Sequence, residues 1–232
     1  NDELNLFVVC DGMGGHAGGE FASAIAVNTV EEVLTTIEIR PEAEGFEPSG
    51  GANTVELVRE KLRYSIRLAG KRIHERAQVD SEYQGMGTTC LALIVEGGNA
   101  FMAHVGDSRG YLIRDGKIEQ LTEDHSLVNE RVRAGLITEE EAKTHKLKNI
   151  ITRSLGFMED VEIDLSVRAV LRGDHFVLCS DGLSNFVEAE EISQSVLELG
   201  PQESARRMIE TACERGGDDN ITVVVVRIDE AA

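Results

Sequence analysis

Acidic motifs at the ends of predicted strands constrain this chain more than any other feature of its sequence. Asp11 opens DGMGGHAGG directly after the apolar run LNLFVVC, and Asp181 lies in SDGL directly after HFVLC. A third motif, GGDDN at residues 216–220, comes directly before ITVVVV. Carboxylates held rigidly at strand ends repel one another in a shared space unless a cation lies between them. The sequence therefore predicts a fold that gathers strand ends around a hard divalent metal, as in a metal-assisted hydrolase.

The charge and length of the chain limit the class of protein. Its 232 residues suit a single domain, and its net charge of −19 comes from 23 basic and 42 acidic residues. This charge argues against nucleic acid as a partner, because binding nucleic acid needs a basic patch. The negative electrostatic field of such a chain would repel a phosphate substrate, although bound divalent ions can invert this field locally. No apolar run approaches the ~18 residues of a membrane span, and the sequence shows no signal peptide.

The cysteines indicate the redox environment of the protein. They are Cys10, Cys90, Cys179 and Cys213, and none has C-x-x-C spacing. Three of them lie in apolar runs that are typical of strands. This pattern predicts buried free thiols in a reducing compartment, and hence a cytoplasmic protein, over disulfides or a zinc site. No basic residue lies beside Cys10 or Cys179 to favour a thiolate nucleophile.

The order of predicted elements favours an α+β fold. Hairpin turns are indicated at Gly97-Gly98 and at Asp115-Gly116. We predict helices at about 20–37, 54–79, 188–199 and 202–215, strands at about 4–10, 161–170, 174–179 and 221–228, a loop over 40–51 and a polar surface excursion over 123–148. Helices at both ends, with hairpin-linked strands between them, favour an antiparallel α/β sandwich over β-α-β units.

The first acidic motif has two other interpretations. Residues 12–17 satisfy G-x-G-x-x-A, with Glu31 and Glu32 roughly 20 residues further on, which imitates a dinucleotide-binding fingerprint. Asp11 would face a pyrophosphate unfavourably, however, and the strands that follow run in hairpins. The motif could also be a plain glycine turn capped by Asp11. Gly12 makes better sense where a backbone carbonyl approaches a ligand closely, as only glycine permits.

Each remaining motif could be an ordinary turn when taken alone. SDGL, GGDDN and GDSRG (residues 106–110) nevertheless all lie at strand termini of one chain, which favours a shared acidic site. His16 lies five residues after Asp11 and is the candidate catalytic histidine. His104 lies within a strand pattern, where packing is its expected role, and His125 in EDHS could approach the site.

At these residues the chain resembles the metal-dependent protein phosphatases of type 2C, in their bacterial serine/threonine branch. The matching segments are VVCDGMGGHAGGEFAS, GMGTTCLALIVEG, AHVGDSRGYLIRDGKIEQLTEDHS, IITRSLG, FVLCSDGLSN and DDNITVVVV. They follow the family's order and cover nearly the whole chain. The resemblance implies a four-layer α-β-β-α sandwich, in which two antiparallel sheets pack face to face with helix pairs outside.

The resemblance also implies a set of metal ligands. Asp11 would bridge two Mn²⁺ or Mg²⁺ ions, and the carbonyl of Gly12 would bind one of them. Asp181 and Asp219 would complete the protein ligands of these two core ions. Asp107 would hold a third, weaker ion together with Asp181.

Other positions follow from the same resemblance. Asp218 is the neighbouring alternative to Asp219, although the family pattern places the ligand directly before Asn220. A hydroxide bridging the two ions would attack phosphorus, and His16 would protonate the leaving serine or threonine oxygen. Residues 123–148, called the flap below, would form a subdomain beside the active site.

The implied function is hydrolysis of phosphoserine and phosphothreonine in proteins by a monomer, with a Ser/Thr kinase or its targets among the partners. One departure from the family pattern supports an alternative. The family has an upstream strand with a phosphate-clamping Arg, and residues 1–3 lie too close to Asp11 to be that element. We therefore expect a single catalytic domain that lacks its N-terminal strand. The alternative is a metal-binding pseudophosphatase that acts as a regulatory or interaction module.

Overall fold

The computed structural model describes residues 1–36, 54–217 and 219–230 of the chain, apart from the side chains of His16 and Thr54. The loop predicted over 40–51 lies outside the described residues. Ten strands form two four-stranded sheets and a two-stranded ribbon, and every strand pair within the described residues is antiparallel. The antiparallel pairing agrees with the hairpin-rich order that the sequence predicted.

The first sheet has the order β1-β4-β5-β8. Its strands are β1 (Leu6–Val9), β4 (Cys90–Glu96), β5 (Asn99–Val105) and β8 (Asp164–Ala169). The ribbon pairs β2 (Gly12–Met13) with β3 (Gly87–Thr88). Gly97 and Gly98 join β4 to β5 with φ of 55° and 72°. Glycine adopts such positive φ values without strain, so the hairpin predicted here is confirmed.

The second sheet has the order β10-β9-β6-β7. Its strands are β6 (Arg109–Arg114), β7 (Lys117–Gln120), β9 (His175–Cys179) and β10 (Val223–Arg227). Asp115 and Gly116 form the turn between β6 and β7, with φ of 51° and 74°. Positive φ at both central residues is what a two-residue hairpin turn of type I′ requires, and the predicted turn is confirmed.

Helix pairs cover the outer faces of the two sheets. Helices α1 (His16–Thr36) and α2 (Thr54–Val79) pack on the first sheet, whereas α6 (Ala189–Leu199) and α7 (Pro201–Glu214) pack on the second. Three short helices complete the set: α3 (Leu127–Arg133), α4 (Glu139–Lys143) and α5 (Asp181–Ser184). In the part of the chain that the structure describes, none of the helices combines the length and apolar character needed to cross a bilayer.

Three apolar layers separate the four layers of secondary structure. The alternation of side chains along β4 shows how one strand serves two of them. Leu91 and Leu93 face the layer between the sheets, whereas Ala92 and Ile94 face the helices α1 and α2. Successive side chains of a strand point to opposite faces, so apolar residues throughout β4 bury both faces of the sheet. The predicted α-β-β-α sandwich is confirmed.

The start of α1 differs from the sequence prediction. We expected Gly18 and Gly19 to precede a helix beginning near Glu20, but the helix begins at His16 and contains both glycines. The reason is a tertiary contact with β2. A Cβ atom on Gly12 would lie 1.9 Å from the carbonyl oxygen of Gly19. Gly12 and Gly19 therefore allow the first turns of α1 to pack closely against β2. Gly19 is part of the helix and does not end the preceding loop.

Candidate metal centre

The four predicted acidic ligands come together at one edge of the sandwich. Asp11 follows β1, Asp107 lies between β5 and β6, Asp181 is the first residue of α5 directly after β9, and Asp219 precedes β10. The carboxyl groups of Asp11 and Asp181 lie within hydrogen-bonding range of each other, and the charge of Asp219 acts on both. Asp107 also lies within range of the charge of Asp181. Both sheets thus contribute carboxylates to one site.

The electrostatics of this cluster favour the binding of a cation. Burial, followed by the charges of Asp181 and Asp219, raises the pKa of Asp11 to about 7. Burial and the charge of Asp181 likewise raise the pKa of Asp107 to about 7. Burial and Asp219 raise the pKa of Asp181. Arg109 favours ionised Asp107, but its guanidinium is bonded to Asp124 at 2.7 Å. Oxygen ligands with excess negative charge fit a hard divalent cation.

The chemistry of the donors fits hard divalent ions. Asp11, Asp181 and Asp219 offer carboxylate oxygens to one another's surroundings, and these are the ligands that Mg²⁺ and Mn²⁺ prefer. The donor set therefore fits the ions implied by the resemblance.

The segments that carry Asp181 and Asp219 are held against each other by backbone contacts. The hydroxyl of Ser180 donates to the carbonyl of Asn220 at 2.9 Å. A Cβ atom on Gly182 would lie only 2.4 Å from the same carbonyl oxygen. The glycine of SDGL therefore permits the close approach of these two segments, which brings the two acidic motifs side by side.

Two threonines that sequence reasoning did not single out fix the position of Asp11. The backbone N–H of Asp11 donates to Oγ1 of Thr89 at 2.9 Å, and Oγ1 of Thr88 donates to the carbonyl of Asp11 at 2.9 Å. Oγ1 of Thr89 also lies 2.8 Å from Oγ of Ser108, the residue after Asp107. Both threonines are buried. Thr89 therefore links the backbone of Asp11 to the loop that carries Asp107.

Two predicted residues lie outside the described side chains. His16 is the first residue of α1, but its side chain is not described. Asp218, the alternative to Asp219, is also outside the described residues. The roles assigned to these residues stay predictions.

A second cluster, His104, His125 and Asp164, places its ligand atoms within 4.8 Å of one another. The two imidazole rings stack at 4.6 Å. The N–H of Gly106 donates to Nδ1 of His125 at 3.1 Å, and Nε2 of the same ring lies 3.3 Å from the carboxylate of Asp164 and 3.2 Å from the guanidinium of Arg153. Arg153 also pairs with Asp164 at 3.1 Å. Both ring nitrogens of His125 and the carboxylate of Asp164 already have protein partners, so this cluster is structural.

The positions of His104 and His125 can be compared with the roles that the sequence predicted for them. His104 is buried in β5 as expected for a packed residue, and its Nε2 contacts the carbonyl of Glu123 at 2.8 Å. His125 approaches Gly106, the residue before Asp107, rather than the carboxylates themselves. Its backbone N–H also donates to the carbonyl of Gly106 at 2.9 Å. His125 therefore holds the loop that carries Asp107.

A groove leads from the carboxylates to the flap. It has a volume of about 410 Å³, and Asp107 and Asp181 lie in its wall. Residues of α3 and α4 line the opposite side, and Lys143 of α4 pairs with Glu188 at 3.0 Å. The bridge between Ser126 and Ile151 closes the stem of the flap. The groove therefore joins the surface beside the flap to Asp107 and Asp181.

The thiols near the site are unsuited to nucleophilic attack. A hydrogen bond with Cys90, together with burial, raises the pKa of Cys10 well above its ordinary value. Burial raises the pKa of Cys179 to about 12. Since the thiolate is the reactive form, neither residue is an activated nucleophile, in agreement with the sequence prediction.

The sequence model of the protein family "Protein phosphatase 2C" matches residues 1–220 of the chain. The chain belongs to the protein phosphatase 2C family. It is 38% identical over 226 residues to the protein phosphatase PhpP of Streptococcus pneumoniae, covering 97% of this chain and 86% of that protein.

Solved structures agree with this assignment. The chain superposes on the serine/threonine phosphatase PstP/Ppp of Mycobacterium tuberculosis with a TM-score of 0.84 at 37% identity, covering 97% of this chain and 89% of that one. The catalytic domain of PstP in complex with two manganese ions superposes with a TM-score of 0.82 at 36% identity, covering 97% and 88% of the two chains. The two manganese ions of that relative agree with the number of core ions that the resemblance implies.

The raised carboxyl pKa values predict a pH-dependent stability of the metal-free protein. Asp11 has a pKa of about 7 when folded, against about 3.9 in an unfolded chain, so the folded state binds more protons between these values. The free energy of unfolding should therefore fall as pH rises from about 4 to about 7. Removing the charge with Asp11→Asn should raise the melting temperature in EDTA at pH 7.5 by about 2–4 °C, corresponding to roughly 1 kcal/mol.

Thermal melts in EDTA at pH 5 and pH 7.5 check this. The matched control is Asp115→Asn, at an exposed turn whose positive φ asparagine tolerates, and it should leave both melting temperatures unchanged. A lower melting temperature for Asp11→Asn at pH 7.5 would contradict the destabilising role of the carboxylate cluster.

The threonine network predicts a graded effect on catalysis. Thr89→Val keeps the side-chain shape but leaves the N–H of Asp11 without its acceptor, and kcat should fall about 10–100-fold, as for other residues that orient metal ligands. Thr89→Ser keeps the hydroxyl and should retain most of the activity. The measurement is kcat and the apparent Mn²⁺ affinity with p-nitrophenyl phosphate, with a melt to verify folding. A Val variant that matches the unmodified protein in both values would remove Thr89 from the positioning of Asp11.

Proposed function

We propose that this protein hydrolyses phosphoserine and phosphothreonine in proteins in a reaction that depends on Mn²⁺ or Mg²⁺. The observation that carries the proposal is the convergence of four carboxylates from both sheets, three of them with raised pKa values, beside a groove of about 410 Å³. Family membership and relatives named as serine/threonine phosphatases support it.

We assign the core metal ligands to Asp11, the carbonyl of Gly12, Asp181 and Asp219. Asp107, together with Asp181, would hold the third and weaker ion. When bound, the ions would offset the charge of the phosphate and activate a water molecule by lowering its pKa. The chain's own contribution is a rigid frame: Thr89 fixes Asp11, and Ser180 fixes the loop beside Asp219.

His16 is our candidate for the general acid. Its place at the first residue of α1, next to the glycine-rich turn after Asp11, would let it reach a substrate in the site. It would donate a proton to the leaving serine or threonine oxygen, which then departs as a neutral alcohol. General acid catalysis of this kind contributes roughly 10²–10⁴-fold to the rate.

The alternatives from the sequence are disfavoured. A pseudophosphatase would more often have lost an acidic ligand, whereas all four aspartates are present and gathered. The dinucleotide-binding alternative needs a parallel β-α-β sheet, and every strand pair in the described residues is antiparallel.

We further propose that residues 1–232 act as one monomeric catalytic domain in the cytoplasm, with residues 123–148 as a flap. A Ser/Thr kinase or its phosphorylated targets would be the partners. The flap lines the groove opposite the carboxylates, which suits a role in admitting the substrate.

The proposal predicts metal-dependent phosphate release from a phosphothreonine peptide. Release should require Mn²⁺, stop in EDTA, and fall more than about 100-fold in Asp11→Asn, since even residues that only orient metal ligands cost 10–100-fold. Asp115→Asn is the matched control and should retain full activity. Release that persists in EDTA, or that is equal in Asp11→Asn, would contradict the proposal.

A further inference from the structure

Two cysteines lie directly opposite each other across the strands that lead into the acidic site. Val9 at the end of β1 pairs with Leu91 in β4, and the ribbon of β2 and β3 continues in the same register. The pair that follows Val9 and Leu91 is Cys10 and Cys90. Residues directly opposite in an antiparallel pair point to the same face, so the two side chains meet.

The backbone pattern makes this pair suitable for a disulfide. The N–H of Thr89 donates to the carbonyl of Asp11 at 2.8 Å, so Asp11 and Thr89 form a hydrogen-bonded pair. Hydrogen-bonded and non-hydrogen-bonded pairs alternate, so Cys10 and Cys90 form the narrower kind, with Cα atoms about 4.5 Å apart. Disulfides bridge Cα atoms that are about 4.4–6.8 Å apart. The strands therefore hold the two thiols within bonding reach.

The pair of cysteines also lies next to the residues that position Asp11. Cys10 directly precedes Asp11, and Cys90 directly follows Thr89, which accepts the hydrogen bond from the N–H of Asp11. Both cysteines belong to the same apolar layer, where Cys90 is fully buried and Cys10 is partly buried. Cys179 lies in the layer beneath α6 and α7, and Cys213 is exposed.

We propose that Cys10 and Cys90 are a redox-sensitive dithiol, and that their oxidation to a cross-strand disulfide lowers phosphatase activity by displacing Asp11. The effect on activity rests on the proposed function, whereas formation of the disulfide does not. The two sulfur atoms must approach to about 2.05 Å, far inside the contact distance of two thiols. This movement pulls on the backbone next to Asp11, which Thr88 and Thr89 otherwise hold in place.

The oxidant is a peroxide, and hydrogen peroxide serves as the probe. The thiol of Cys10 first loses its proton, and the resulting thiolate attacks one peroxide oxygen. The O–O bond breaks, and the departing hydroxide takes up the proton, so that a sulfenic acid and one water form. The thiol of Cys90 then attacks the sulfenic sulfur, the S–O bond breaks, and a second water leaves with the remaining proton. Two thiols lose two electrons in total, and one hydrogen peroxide is reduced to two waters. Burial makes the reaction slow compared with that of an activated catalytic thiol.

The test treats the full chain with hydrogen peroxide, removes the oxidant and blocks the remaining thiols with N-ethylmaleimide. Mass spectrometry of the digest should show a peptide pair linked through Cys10 and Cys90, and dithiothreitol should abolish it. Phosphatase activity should fall about 10-fold or more on oxidation and return on reduction, because a misplacement of about 1 Å in a catalytic site can cost 100-fold.

Three variants separate this effect from general oxidation, each compared with its own reduced activity. Cys90→Ala and Cys10→Ala should keep their activity after peroxide, whereas Cys213→Ala should lose it as the unmodified protein does. Absence of the linked peptide would overturn the proposal, and so would a linked protein that keeps full activity. An inactive reduced protein would instead refute the proposed function, and the linked peptide would still decide the disulfide.

Discussion

The mutual repulsion of carboxylates at one edge of the sandwich is the constraint on which the rest of the structure depends. Burial and neighbouring charges raise the pKa values of Asp11 and Asp107 to about 7, so the folded protein holds them in an unfavourable state without a cation. The apolar layers must stabilise the fold against this repulsion, as is common at functional sites. Bound divalent ions would offset the repulsion, so that the same cluster would stabilise the fold. Metal binding is thereby coupled to folding.

One continuous pairing register supports this edge. The strands β1 and β4 pass into the ribbon of β2 and β3 without a shift, and the acidic site begins where they join. This short stretch carries Asp11, its supporting Thr89 and the opposed pair Cys10 and Cys90. A change in any of these residues acts through the same backbone, so catalysis and thiol chemistry share one structural element.

Much of the fold could be predicted because its signals are local. Turn chemistry at Gly97-Gly98 and Asp115-Gly116 set two hairpins, and acidic residues beside apolar runs marked the strand ends that converge. The early start of α1 could not be predicted, since it depends on contact between Gly12 and Gly19 after folding. The link between Thr89 and Ser108 joins the residue between β3 and β4 to the loop between β5 and β6, and no spacing rule indicates it.

Anomalous scattering from manganese tests the central claim most directly. Crystals grown with Mn²⁺ and measured at the manganese absorption edge should show two strong peaks among Asp11, Asp181 and Asp219, with any third, weaker peak beside Asp107. Peaks at His104, His125 and Asp164 instead, or an absence of peaks at the aspartates, would contradict the assignment of the metal centre.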